Sequence, residues 1–419
     1  MQRLRLFRCD ITLMPPSLDG YLRTFVAADG SPTSRETITC GGIEVSRYWN
    51  EFWTSRQRQA SSIHEVSYRA CFKPQLPRFF IDLFTEAGDV VYDPFSGRGT
   101  TAIEAALRGR RVVANDINPL SAVLARPRLS PPDLAEVVER LEEVPRSRGG
   151  RAGIDLSMFY HPKTRAEIVA LRRYLLGRKE DEDAVDRWIR MVATNRLTGH
   201  SKGFFSVYTL PPNQAVSPES QRRINEKRGQ KPEYRDTHAL ILKKSRQLLK
   251  RVSPEEMSSL RCAGKDALFL TGQADETPQI PDGAVALTVT SPPFLDIVQY
   301  AKDNWLRCWF NGLDAEEVGA GITTARTVEE WETVMGRVFA ELFRVTKPGG
   351  RVAFEVGEVR HGRVALDEHV VPLGAGAGFV PEGVMVNSQV FTKTSNIWGI
   401  ANNTGGTNTN RIVIFRKPE

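Results

Sequence analysis

The stretch DVVYDPFSGRGTTAIEAALRGRRVVANDIN, residues 89–118, decides the fold. DVVYDPF reads as a strand, SGRGT as a glycine turn, TAIEAALRG as a small-residue helix ended by Gly109, and RVVAND as a second buried strand. FFIDLFTEAG, which begins at Phe79, reads as a short helix ahead of them. The succession is a βαβ unit, half of a doubly wound α/β sheet that binds nucleotides at the carboxyl ends of its strands.

Within that unit, Asp93-Pro94-Phe95-Ser96-Gly97-Arg98-Gly99-Thr100 leaves the first strand and opens the helix. Gly97 and Gly99 permit a close backbone approach, and a helix N-terminus offers free N–H donors. The second strand ends at Asn115-Asp116, followed by Ile117, and a carboxylate there can accept hydrogen bonds from both ribose hydroxyls of a nucleoside. A phosphate-binding loop would end in GK[ST] or carry a third glycine, and neither is present. S-adenosylmethionine, a nucleoside without phosphates, needs neither.

Ala284 to Thr290 reads as a buried strand that runs into Ser291-Pro292-Pro293-Phe294. Two prolines cannot extend a sheet, so they stiffen the turn and fix where its carbonyls point. A base amino group is a poor nucleophile because its lone pair is delocalised into the ring. The Ser291 hydroxyl and the Pro292 carbonyl are candidate acceptors for its protons, and Phe294 a candidate to stack on the base. Reaching such a nitrogen requires the base to leave the helix.

Outside these motifs the chain divides into an N-terminal arm (1–60), a first catalytic half (61–125), a mostly helical insertion (126–262) and a second catalytic half (263–419). LSPPDLAEVVERLEEV, PKTRAEIVALRRYLLG, DAVDRWIRMVATNRL and DTHALILKKSRQLLKR read as helices of the insertion, with a loop-like stretch rich in Pro, Asn, Gly and Gln before the last. DALFL, GRVAFEVG and NRIVIF read as further strands, GRVAFEVG being entered through a KPGG turn. TSNIWG and GGTNTNR read as polar hairpin material.

Charge supports a polyanionic partner: 57 Lys+Arg face 50 Asp+Glu, a net +7. The five cysteines form no CxxC pair and the six histidines no metal-ligand spacing, so a reduced, cytoplasmic, metal-free protein is the default. No apolar run reaches the roughly 18 residues of a membrane span.

DPFSGRGTT, TSPPF and the segment Tyr68, Lys73, Leu76, Pro77 to Phe84 together resemble the amino-group DNA methyltransferases, which make N4-methylcytosine or N6-methyladenine. The resemblance implies a Rossmann-like methyltransferase sheet, S-adenosylmethionine as cofactor and double-stranded DNA as substrate, with a cognate restriction endonuclease as a possible partner. It implies that Asp93, Pro94, Phe95, Gly97, Gly99, Thr100, Asp116 and Ile117 hold the cofactor, with Asp275 near its adenine amino group. Ser before the two prolines is typical of the N4-cytosine enzymes, so cytosine N4 is favoured. Adenine N6 methylation and a non-catalytic DNA-binding module on this fold are the competing readings. The motif order places the insertion where such enzymes carry target recognition, and the hairpin with Trp398 and Asn408 near the target base.

For the insertion, Asn213, Arg222, Arg223, Lys227, Arg228, Lys231 and Arg235 are the candidate DNA contacts, with Gln214, Asn225 and Gln230 available to read base edges. Cys308, between aromatics in RCWF, is expected to be a buried structural cysteine, which argues against a thiolate mechanism at cytosine C5.

Overall fold

Val90–Asp93 forms strand β3 and Arg111–Asn115 strand β4, with the helix Thr100–Leu107 crossing between them. The strands pair in parallel, Val91 opposite Val112 and Asp93 opposite Ala114. Burying Ala102, Ile103, Ala105 and Ala106 lets the helix lie close on the sheet. Gly109 then stops the helix at φ +69°, a left-handed conformation that costs glycine little.

The structure is a computed structural model and describes residues 17–54, 60–68, 71–147, 152–210, 215–293, 300–322, 325–359, 364–388 and 409–419. Its other strands are β1 (Ser34–Cys40), β2 (Ile43–Asn50), β5 (Leu268–Leu270), β6 (Val285–Thr290), β7 (Thr346–Val356), β8 (Glu358–Val359), β9 (Val364–Ala365), β10 (Val380–Ser388) and β11 (Thr409–Arg416). Nine build one sheet in the order β1-β2-β10-β11-β7-β6-β3-β4-β5, and β8 pairs with β9 apart from it. Every pairing from β7 to β5 is parallel, and β11 runs antiparallel between β7 and β10. Chain order reverses between β3 and β6, so a crevice opens there at the carboxyl ends of both strands. The hairpin β1–β2 joins the far side of the sheet through a parallel pairing of β2 with β10.

Between β4 and β5 the chain is helical, and these helices share a core with the sheet. Trp188, Ile189 and Leu248 belong to the same buried cluster as Val91, Ile103 and Val112. The opposite face packs Tyr92, Val285, Phe339, Phe354 and Phe415. Among the described residues no helix is long and apolar enough to cross a membrane.

Several elements depart from the sequence reading. The loop-like stretch contains the helix Pro218–Arg228, capped by Ser217, which accepts from Ser220 N–H, and stopped by Gly229 at φ +57°. Only Gln221 of that helix is buried, so no apolar period marks it. The helix Pro254–Asp266 likewise buries Leu260 alone and is held by a Ser253/Glu256 capping box. KPGG is not a turn outside the strand: β7 runs through it with a register shift against β6 between Val285 and Leu287.

Candidate active site

The turn from Ser96 to Gly99 is braced by the protein's own groups. Ser96 N–H donates to Asn115 O at 2.9 Å and Gly99 N–H to Ser96 O at 2.7 Å. Gly97 takes φ +53° and donates to Asp116 Oδ2 at 2.7 Å, while Asn118 N–H donates to Asp116 Oδ1 at 2.9 Å. The glycine requirement is internal: a Cβ on Gly99 would lie 2.4 Å from Ala125 Cβ, and one on Gly97 3.3 Å from Cys71 Sγ. Beneath the turn, buried Arg98 donates to Val66 O, Phe72 O and Thr100 Oγ1. Fully buried Arg128 donates to Leu124 O, Ile63 O and Arg98 O, and burial beside Arg98 pushes its guanidinium down to about 9. The Thr100 hydroxyl thus serves the turn itself.

Pro94, Phe95 and Ile117 line a cavity of about 380 Å³ together with Gly272, Asp275, Pro293, Trp331, Val334 and Met335. Its size, with an apolar side at Ile117, Trp331, Val334 and Met335 and a polar side at Gln273, Asp275, Glu276 and Arg337, suits a small ligand. Asp275 stands at its rim with its carboxylate 2.8 Å from Arg337 Nε. Burial raises Asp116 to about 6 against the pull of its two backbone donors.

On the other side of the crevice, β6 is buried throughout and ends at Thr290, whose Oγ1 donates to Asp93 Oδ1 at 2.7 Å. Burial raises Asp93 to about 7. Thr101 Oγ1 donates to Val289 O at 3.1 Å, so β6 is tied both to β3 and to the helix Thr100–Leu107. Beyond Thr290, the Ser291 hydroxyl bonds the Glu355 carboxyl, which also accepts from Asn410 Nδ2 at 2.8 Å. Burial raises Glu355, and these two bonds oppose the shift. Pro292 is buried, and the Pro293 carbonyl accepts from Trp331 Nε1 at 3.1 Å. Phe294, Trp398 and Asn408 lie outside the described residues.

The crevice thus brings together Asp93, Pro94, Phe95, Gly97, Asp116, Ile117, Asp275 and the Ser291-Pro292-Pro293 turn. No motif in the sequence assigns a role to Glu355 or Asn410. Glu355 and Asn410 sit on strands β7 and β11, adjacent only in the folded sheet, so no local spacing could announce them. Cys308 is buried, and burial pushes its thiol up to about 11, the reverse of an activated nucleophile.

The basic residues of the insertion separate by environment. Arg222, Arg223, Lys227, Arg228 and Lys231 are all exposed. Arg222 pairs with Asp155 at 2.9 Å, and Arg228 stacks over Tyr208 at 3.8 Å. Arg235 is half-buried and donates to the carbonyls of Ser201, Phe204 and Ser206, which makes it a clamp on that loop. Asn225 donates to Met158 O, and Gln230 to Tyr208 O and Asn225 Oδ1, so both amides hold the protein's own chain. Asn213 and Gln214 lie outside the described residues. Trp305 Nε1 donates to Ala215 O and Val216 O, tying the approach to the helix Pro218–Arg228 to the helix that follows the catalytic turn.

With antiparallel β11 set beside β7 and a glycine turn at the switch point, the sheet has the Rossmann-like methyltransferase fold. Residues 33–125 match the N6/N4 methyltransferase family model, described as DNA methylase. It is 26% identical over 126 residues to the type II methyltransferase M.MvaI of Kocuria varians, covering 29% of this chain and 25% of that protein. With the orphan methyltransferase M.BamHII of Bacillus amyloliquefaciens it shares 34% over 73 residues, 17% of this chain and 28% of the relative. The chain thus spans about a quarter of the length of these curated relatives. Among solved structures, geranyl diphosphate C-methyltransferase from Streptomyces coelicolor A3(2) aligns over 83% of this chain and 78% of its own, at 9% identity and a TM-score of 0.35.

Proposed function

We propose that this protein methylates an exocyclic amino nitrogen in duplex DNA, using S-adenosylmethionine, with cytosine N4 as the target. The observation that carries the reading is the Thr290–Asp93 bond, which locks the cofactor turn and the Ser-Pro-Pro turn to one crevice. The names of the relatives, type II and orphan methyltransferases, agree with it.

The residues present fit the cofactor: a cavity with an apolar side for an adenine ring, a carboxylate at Asp116 for ribose hydroxyls and no phosphate loop. Bound there, S-adenosylmethionine supplies a methyl group on a sulfonium. The chain's part is positioning. A hydroxyl has one proton and two lone pairs, so Ser291 can donate to Glu355 and still accept from the base amino group. The Pro292 carbonyl accepts a hydrogen bond from the second amino N–H, which turns the nitrogen lone pair toward the methyl for direct displacement. The base reaches this turn by flipping out of the duplex, and Phe294 stacks on it.

Residues 126–262 form the target-recognition region between catalytic halves 61–125 and 263–419, and exposed Arg223, Lys227 and Lys231 contact phosphates. The test is incubation with labelled cofactor and mixed-sequence duplex, followed by digestion to nucleosides. Label in N4-methylcytosine is expected. Label confined to N6-methyladenine overturns the cytosine assignment, and label only with RNA overturns the substrate.

A further inference from the structure

The indole of Trp331 belongs to two parts of the site at once. Its ring walls the cavity alongside Ile117, Val334 and Met335, and its Nε1 donates to the Pro293 carbonyl at 3.1 Å. The residue is 2% exposed. It stands in the first turn of the helix Val328–Val345, where Thr327 and Glu330 cap each other's backbone N–H groups in a capping box. With its backbone held there, the ring moves only by its own side-chain torsions, and whatever presses on it from the cavity is passed to its single N–H.

That N–H holds one end of a stiff lever. Pro292 and Pro293 each have φ fixed by a ring, so the orientation of the Pro293 carbonyl limits that of the Pro292 carbonyl and of Ser291 before it. Ser291 is held from the far side by Glu355. The turn is therefore anchored at Ser291 by β7 and at Pro293 by a residue of the cofactor cavity.

We propose that Trp331 is a positioning residue that couples filling of the cavity to the setting of the Ser291-Pro292-Pro293 turn, so that the turn is ready for a base only once the cofactor is in place. The inference rests on the reading above that a nucleoside cofactor fills this cavity. It assigns Trp331 no contact with the reacting atoms.

The test is amide hydrogen exchange of the full chain with S-adenosylhomocysteine as probe, on the wild type and Trp331→Phe, with calorimetry for probe affinity. In the wild type the probe slows exchange both at residues 97–101 and at Thr290 and Ser291. At saturating probe, in Trp331→Phe the slowing at 97–101 persists and that at Thr290 and Ser291 falls to about the unliganded rate, whatever the change in probe Kd. Single-turnover methyl transfer falls by about tenfold or more while the DNA KM holds, as expected of a misplaced turn. Trp331→His, which keeps a ring N–H, restores part of the protection. Equal protection in wild type and Trp331→Phe overturns the proposal. So does a wild type that binds the probe without slowing Thr290 and Ser291, a result that stands even if Trp331→Phe fails to fold. A wild type that does not bind the probe overturns the cofactor reading, and the proposal with it.

Discussion

Thr290 Oγ1 lies 2.7 Å from Asp93 Oδ1, joining the last residues of two neighbouring parallel strands, one leading to the cofactor turn and the other to the Ser-Pro-Pro turn. Asp93 is buried and raised to about 7, so it carries a proton in the folded state over a range where the unfolded chain has lost it. The contribution of this group to stability is complete below the unfolded value near 3.8 and is lost as pH rises through about 7. Thr290→Val removes a donor that favours the ionised form. It should lower stability at pH 7 by about 1–3 kcal/mol and extend the pH-dependent loss to higher pH, as read by urea unfolding.

Asp116 bears on cofactor affinity instead. Its carboxylate is raised to about 6, and only the ionised form offers both oxygens to ribose hydroxyls. Cofactor binding should therefore weaken as pH falls through about 6, approaching tenfold per unit below it. Asp116→Asn should bind weakly with no such pH dependence. Calorimetric titration from pH 5 to 8 checks both.

Glu355 acts through Ser291, so the two should not add. Glu355→Gln should lower single-turnover transfer by roughly ten- to a hundredfold with cofactor affinity little changed. In a Ser291→Ala background the same change should cost almost nothing. A full additional loss in the double variant would show that Glu355 acts by another route.

Arginine and lysine in the insertion should divide by exposure. Replacing Arg223, Lys227 and Lys231 by glutamine should weaken DNA binding and reduce the slope of log K against log salt by up to about 2.7. Arg235→Ala should instead lower stability by about 1.5–3 kcal/mol, since it releases three carbonyls of one loop. Fluorescence anisotropy over a salt series and thermal melts separate the two outcomes.

Much of this was legible in the chain. The βαβ unit over residues 89–118 announces itself because strand, turn and helix each follow a local rule: β-branched runs, positive-φ glycines and an alanine-rich face. Ser291-Pro292-Pro293 is equally local, since proline's φ is set by its own ring. The helix Pro218–Arg228 was not legible because it buries almost nothing, and hydrophobic period is the signal by which helices are read.

What the sequence by itself determined is the turn chemistry at Gly97, Gly99 and the two prolines, and with it the methyltransferase reading. Only the tertiary structure decided which residues attend those turns. Glu355 reaches Ser291 because β7 lies beside β6, Asn410 reaches Glu355 because β11 lies beside β7, and Trp331 reaches Pro293 from a helix 38 residues away in the chain. The same packing set Arg235, Asn225 and Gln230, candidate DNA contacts in the sequence, in hydrogen bonds to the protein's own chain. The physical reason is common to all of them: a buried polar group must find a partner, and strand order, rather than spacing along the chain, determines which partner is within reach.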